Sequence, residues 1–192
     1  QTGDRVLVAS DSNIILQNTE TQQAVVTFDT ASLTRMNDTG THFAVLSDNQ
    51  VVVIDARTGI EQKSWSITSD DISKLIVSPT GGQAFINTVS GDVWLMRSDT
   101  DGAIPLNMGN ITPPFGMIFN RDGSTFMTLH AESAIQWETS TASEIQRFPL
   151  GLPVDGQLDK RVKVAFGEAS DSITFFVQLD NNLAGLTRFQ PD

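Results

Sequence analysis

Two short motifs recur along this chain in fixed phase, and that recurrence limits its possible folds more than any single residue does. "TGDRVLV" (2–8), "TGTHFAV" (39–45), "TGGQAFI" (80–86), "DGSTFMT" (122–128) and "DSITFFV" (171–177) each place a tight turn before an extended run. Downstream lie "DSNIILQN" (11–18), "DNQVVVID" (48–55), "SGDVWLMR" (90–97), "AESAIQWE" (131–138) and "DNNLAGLT" (180–187). The turn residues Gly3, Gly40, Gly81, Gly123 and Ser172 are 37, 41, 42 and 49 positions apart. From each to the end of its downstream motif is 15 or 16 residues every time. Two signals held in phase define a structural repeat.

A period near 40 residues belongs either to helix pairs or to small sheets stacked in an array. Helical repeats need apolar residues at i, i+3, i+4 and i+7. Here the apolar runs are short, rich in Val, Ile and Phe, and broken by Gly, Asp, Asn, Ser or Pro, which is the punctuation of strands. The second unit reads as strands over 32–36, 42–47, 50–55 and 61–67, the third over 72–78, 83–88, 92–97 and 103–106. The fourth reads as 115–120, 125–130, 134–138 and 144–148. The first and last units each supply three, so 18 strands are expected, grouped 3, 4, 4, 4 and 3. The expected fold class is all-β: a β-propeller of about five four-stranded antiparallel blades, or the same stretch of a seven- or eight-bladed ring. The units fall at 1–28, 29–67, 68–108, 109–150 and 151–192. The two thin end units leave strand edges for another chain or domain to complete. The insertion "GLPVDGQLDK" (151–160) is the loop expected to reach outward.

"VSPTGGQAFINTVSGDVWLMRSDTDG" and "FNRDGSTFMTLHAESAIQWETSTASEIQRF" resemble units of the WD-repeat propellers and their bacterial relatives. That pattern is a Pro-Asp-Gly-type turn, a strand, an Asp-Gly turn, a strand ending in Trp-Asp, and a Thr-x-x-Gly-like turn. Ile54-Asp55 and Trp137-Glu138 stand where Trp-Asp would, and the Gly-His dipeptide of the family is missing. By this resemblance Asp48 caps the turn between second and third strands, as do Asp11 and Asp180, while Thr58-Gly59 turns the chain into the fourth strand.

With no cysteine, the chain has no disulfides, thiolate metal sites or Cys nucleophile. A net charge of -11, from 23 acids against 12 bases, argues against a nucleic-acid partner, because phosphate binding needs basic surface. The same balance disfavours anionic lipid surfaces, and no apolar run is long enough to insert directly into a membrane. The compartment stays open, between the cytoplasm and the periplasm or extracellular space.

Few residues carry reactive chemistry. His42 and His130 fall on or beside second strands of different units, too few for a His-rich metal site. A strand-edge or surface position is expected for both. "SDTDGA" (98–103) lacks the ligand count of a calcium loop and reads as a solvated turn between third and fourth strands. Trp65, Trp94 and Trp137 read as packing residues, and the sequons at Asn37 and Asn110 as chance occurrences. No phosphate loop or nucleophile elbow occurs, and no cofactor is implied. What remains is a line of acids in the turns between second and third strands: Asp11, Asp48, Asp92, Glu132 and Asp180. They form an acidic interaction face for a basic peptide or cation, or they are there because Asp is a good turn residue. The functional expectation is a non-catalytic propeller serving as a platform for protein partners. The alternative is a propeller enzyme, a lactonase-like hydrolase or quinoprotein-like oxidoreductase, which would gather acids, Asn and His at one place. A circular dichroism spectrum should show dominant β signal and helix below about 10%, against roughly 30–35% in an average globular protein. A helical spectrum would overturn the strand reading.

Overall fold

The computed structural model describes residues 4–10, 13–29, 31–37, 39–68, 72–108, 111, 114–130, 132–149, 163–166, 173–179 and 182–189. Among them every regular element is a strand. Sheet 1 contains β1 (Arg5–Ala9), β2 (Ile14–Asn18) and β3 (Ala24–Phe28). Sheet 2 contains β4 (Ala31–Met36), β5 (His42–Ser47), β6 (Gln50–Asp55) and β7 (Glu61–Ser66). Sheet 3 contains β8 (Ile72–Val77), β9 (Gln83–Thr88), β10 (Val93–Arg97) and β11 (Ala103–Pro105). Sheet 4 contains β12 (Gly116–Phe119), β13 (Thr125–Leu129), β14 (Ser133–Glu138) and β15 (Ser143–Pro149). Sheet 5 contains β16 (Lys163–Phe166), β17 (Ile173–Leu179) and β18 (Asn182–Phe189). Within each sheet, strands adjacent in sequence are hydrogen-bonded neighbours and antiparallel. The fold is thus all-β, built of repeated three- and four-stranded sheets. The 3, 4, 4, 4, 3 grouping is the one the repeat phase predicts, with strand ends displaced by one or two residues. The insertion at 151–160 lies outside the described residues.

The chain forms two compact units, Gln1–Asn107 and Met108–Asp192. In the first, sheet 2 is packed on both faces, which explains its unbroken run of Val51, Val52, Val53 and Ile54. Successive side chains on a strand point to opposite faces. Phe43, Val45, Val52 and Ile54 therefore meet Ile14 and Leu16 of sheet 1, with Leu7, Val26 and Phe28 beside them. Ala44, Val51, Val53 and Trp65 meet Leu75, Val77, Ala84, Ile86 and Met96 of sheet 3. The Trp65 indole N–H also donates to the Arg97 carbonyl at 2.9 Å, tying β7 to β10. In the second unit, sheet 4 buries Phe126, Met127, Leu129, Ala134, Ile135 and Trp137, again with residues on both faces. Phe126 and Trp137 stack with centroids 6.0 Å apart and planes 6° from parallel.

Two turn designs repeat with the sheets. Between first and second strands, a buried Asn or Ser closes a loop whose fourth residue is Gly. Asn37, Ser78 and Asn120 donate their backbone N–H to the carbonyls of His42, Gln83 and Thr125 at 2.9, 2.9 and 3.0 Å. The side-chain oxygens of Asn37, Ser78 and Asn120 accept the N–H of those same three residues. Gly40, Gly81 and Gly123 sit at φ of 68°, 75° and 76°, where L side chains are strained. Gly81 has a second reason, since a Cβ there would lie 2.4 Å from the His42 ring of sheet 2.

Between third and fourth strands the loop is set by Asn18, Asp55 or Glu138. Their carbonyls accept the N–H of Gln22, Gly59 and Ala142, all at positive φ, at 2.9, 2.8 and 2.9 Å. Thr58-Gly59 does turn the chain into the fourth strand, as the resemblance implied. The Asp55 carboxylate accepts the N–H of Arg57 and Thr58 and the Thr58 hydroxyl. Burial pushes its carboxyl up, but these hydrogen bonds outweigh that and hold it below the usual carboxylate range. Each of these third–fourth pairings in sheets 1, 2 and 4 carries a register shift at the same place, between Leu16 and Gln17, Val53 and Ile54, and Gln136 and Trp137.

Gly59→Ala should destabilise the protein by about 1–2 kcal/mol from the left-handed backbone alone, aggravated by Val25, whose Cγ1 would sit 2.6 Å from the new Cβ. Ala142→Gly, at the equivalent position, should stabilise by about 0.5 kcal/mol as strain relief exceeds the entropy cost. Urea denaturation of the two variants against wild type reads both signs.

Candidate interaction surface

The turns between second and third strands are where sequence placed an acidic face, and their location follows from the sheet packing. The Asn37 side-chain amide donates to the carbonyls of Ser78 and Pro79, both at 3.2 Å, and the Thr41 hydroxyl donates to Pro79 O at 3.3 Å. These bonds fasten the β4–β5 turn to the β8–β9 turn. In antiparallel sheets the next turns then emerge together at the opposite end. Asp48 and Asp92 lie in those turns, and both are exposed. Glu132 occupies the corresponding β13–β14 turn of sheet 4 and is exposed. Asp11 and Asp180 lie outside the described residues.

The three described acids do not play one turn role. Asp48 and Asn49 are the two central residues of a tight hairpin at φ of 49° and 59°, a geometry that Asp and Asn tolerate. Asp48 thus forms the turn with its own backbone, and its carboxylate accepts a long 3.4 Å bond from the Ser47 hydroxyl. In sheet 3 the left-handed residue is Gly91, at φ 96°, and Asp92 follows it, accepting from the Ser90 hydroxyl at 2.8 Å. Glu132 precedes β14 in a turn closed by His130 N–H to Ser133 O at 2.8 Å. Negative charge is what these positions share, rather than a common backbone requirement.

The histidines divide. His42 begins β5, half-buried against Gly81, with Nδ1 3.0 Å from the Thr41 hydroxyl. His130 follows β13 as expected but is fully buried, which corrects the expectation of a surface or edge position. The cause is polar satisfaction inside the sheet. Thr128, also fully buried, accepts the Trp137 indole N–H at 2.9 Å and lies 2.8 Å from His130 Nε2. An indole N–H only donates and a hydroxyl both accepts and donates, so Thr128 bridges two rings that would otherwise be costly to bury. Sequence reasoning missed this bridge. Its signal was Thr128 and His130 two apart at the end of β13, with Trp137 on the neighbouring strand diagonal to Thr128.

The remaining candidates are structural. Asn37 is buried and both ends of its amide are engaged, its oxygen by the Thr41 and His42 N–H groups, so it is no glycan acceptor in the fold. Asn110 lies outside the described residues. "SDTDGA" connects β10 to β11, with Arg97 forked onto Asp99 and Lys63 Nζ 3.4 Å from Asp101. Trp65 and Trp137 are buried and Trp94 is half-buried against the core. Among the described residues no three His, Asp or Glu side chains are grouped to hold a metal, and no helix is long and apolar enough to cross a membrane.

No protein-family model and no curated protein sequence matches the chain. Among solved structures 1398 chains match, so the likeness is to a widely shared architecture. One is Kuenenia stuttgartiensis hydrazine synthase, with a TM-score of 0.57 at 11% identity, covering 93% of this chain and 54% of that one. The present chain thus spans about half the length of that one. At such identity the likeness is one of fold alone.

Thr128→Val, which keeps the shape and deletes the bridge, should cost about 1–3 kcal/mol because the Trp137 N–H is left without its acceptor, whereas Thr128→Ser should retain most of the stability. Denaturation followed by tryptophan fluorescence separates the two.

Proposed function

We propose that the repeated sheets are blades of a β-propeller and that the protein is a non-catalytic platform, binding basic segments of protein partners on its acidic turn face. The observation that carries this reading is the pairing of Asp48 and Asp92. Both are exposed, on turns of sheets 2 and 3 at the end opposite the Asn37 clasp, and they occupy different turn positions. Turn propensity explains Asp48, but it does not explain Glu132, a poor turn former. Like-signed carboxylates on rigid turns raise the local concentration of a cationic partner and align it without ordering costs of their own. By sequence phase Asp11 and Asp180 fall in the corresponding turns of the first and last repeats. The enzyme alternative draws on gathered acids, Asn and His. Here His42 is packed on Gly81, and His130 is engaged within sheet 4.

Co-purification from the native source with mass spectrometry identifies the partner, and titration with that partner tests the face. The triple variant Asp48→Asn, Asp92→Asn, Glu132→Gln should bind at least about tenfold more weakly at low salt, with the difference shrinking as salt screens it. Its melting temperature should be unchanged. Equal affinity across salt would reject the acidic face.

A further inference from the structure

The turn between third and fourth strands of sheet 3 departs from the design that sheets 1, 2 and 4 share. By count Asp101 takes the place of Gln22, Gly59 and Ala142, four residues beyond the end of the third strand, here Arg97. Yet Asp101 is not at positive φ, and its N–H does not close the loop. The cause is Trp65. Its indole N–H occupies the Arg97 carbonyl at 2.9 Å, and Thr100 brings its own N–H and hydroxyl to the same oxygen, both at 3.2 Å. Asp101 and Gly102 are left out of the loop as backbone donors.

These two residues form an Asp-Gly pair, which has a chemistry of its own. A glycine nitrogen has no neighbouring Cβ to shield it, so it can reach the γ-carbon of the preceding aspartate when neither group is held. The Asp101 side chain is fully exposed and meets Lys63 Nζ at 3.4 Å, an ion pair too exposed to restrain it. A Cβ built on Gly102 would meet nothing within 4 Å, so the space around the turn is open. Among the described residues no acceptor takes the Gly102 N–H. Asp122–Gly123 is the contrast within the same chain. There the Asp122 carboxylate accepts the Ser124 N–H at 2.8 Å, and the Gly123 N–H donates to Asn120 O at 3.2 Å. Both groups that would react are engaged. A third pair, Asp155–Gly156, lies outside the described residues.

We infer that Asp101–Gly102 is a site of spontaneous isoaspartate formation in the folded protein. The Gly102 nitrogen attacks Asp101 Cγ, a C–N bond forms as the carboxyl C–OH bond breaks, and the amide proton leaves with that hydroxyl as water. Water then opens the resulting succinimide. Addition at Cγ restores aspartate. Addition at the Asp101 α-carbonyl breaks its bond to nitrogen, so the chain now runs through Cβ and Cγ and the carboxylate is carried on Cα. Nothing is oxidised or reduced, and the mass of the protein is unchanged. The β10–β11 turn is lengthened by one backbone atom, and its charge moves off the carbon that Lys63 of sheet 2 meets. Ser98 N–H bonds Gly82 O, which sets this turn beside the β8–β9 turn, at the end away from Asp48 and Asp92. The modification therefore stands or falls apart from the partner binding proposed above.

Native protein held in physiological buffer and sampled over weeks tests this. Chymotryptic digestion separates the two described pairs into different peptides, and electron-transfer fragmentation reads isoaspartate at each residue. The isomer should accumulate at 101 at least about tenfold faster than at 122, since the second pair must first give up two hydrogen bonds. In urea the two pairs should react at similar rates. Gly102→Ala, for which the structure has room, should slow the reaction at 101 severalfold with the circular dichroism unchanged. Equal rates at the two pairs in native protein overturn the inference, as does a difference that survives in urea. An undiminished rate in Gly102→Ala overturns it too.

Discussion

Face-to-face packing of small antiparallel sheets is the constraint on which the rest of the first unit depends. A single repeat sheet cannot bury its apolar faces by itself and needs neighbours to cover them. Sheet 2 is stable because both of its faces are used, Phe43, Val45, Val52 and Ile54 against sheet 1 and Ala44, Val51, Val53 and Trp65 against sheet 3. The alternation of side chains along a strand makes this possible without any special residue. It also makes register critical, because a one-residue slip would exchange the two faces and with them both neighbours. The recurring turns pin that register. Their polar side chains are buried and engaged in setting the loop, so they hold the packing in place without being orphaned by it.

The strands and their grouping were legible in the sequence because apolar alternation and turn glycines are both local. Gly40, Gly81 and Gly123 marked their turns directly. The other turn family was harder to see, since only Gly59 carries the expected residue while Gln22 and Ala142 adopt the same backbone at a cost. Its register shifts were invisible, because the fourth strands are exposed and leave no apolar pattern to slip. The buried Asn37, Ser78 and Asn120 preceded each Gly by three positions, but polar residues beside a turn read as surface until the sheets pack. His130 was misplaced for a related reason. Its burial depends on Thr128 and Trp137 supplying a polar contact inside the sheet, and no one-dimensional pattern reports that.

The acidic candidates were legible as positions and illegible as roles. Sequence phase put Asp48, Asp92 and Glu132 in corresponding turns, where the structure has them. It read Asp48 as a cap of the hairpin, and the structure adds that Asp48 is itself one of the two central residues, at a left-handed angle that Asp tolerates. Charge, turn geometry and packing are separable contributions at such sites, and only the last two are fixed by the fold.

The clasp at Asn37 has a consequence for the lifetime of the protein. Its amide nitrogen donates to two carbonyl oxygens of the neighbouring sheet, Ser78 O and Pro79 O. Slow hydrolysis of that single side-chain amide would exchange the nitrogen for oxygen and leave a carboxylate, which donates nothing at neutral pH. A one-atom change, nearly silent in shape, would then turn an attraction across the seam into repulsion between a negative charge and two carbonyl dipoles. The damage would fall at the joint between two sheets, with the sheets themselves intact.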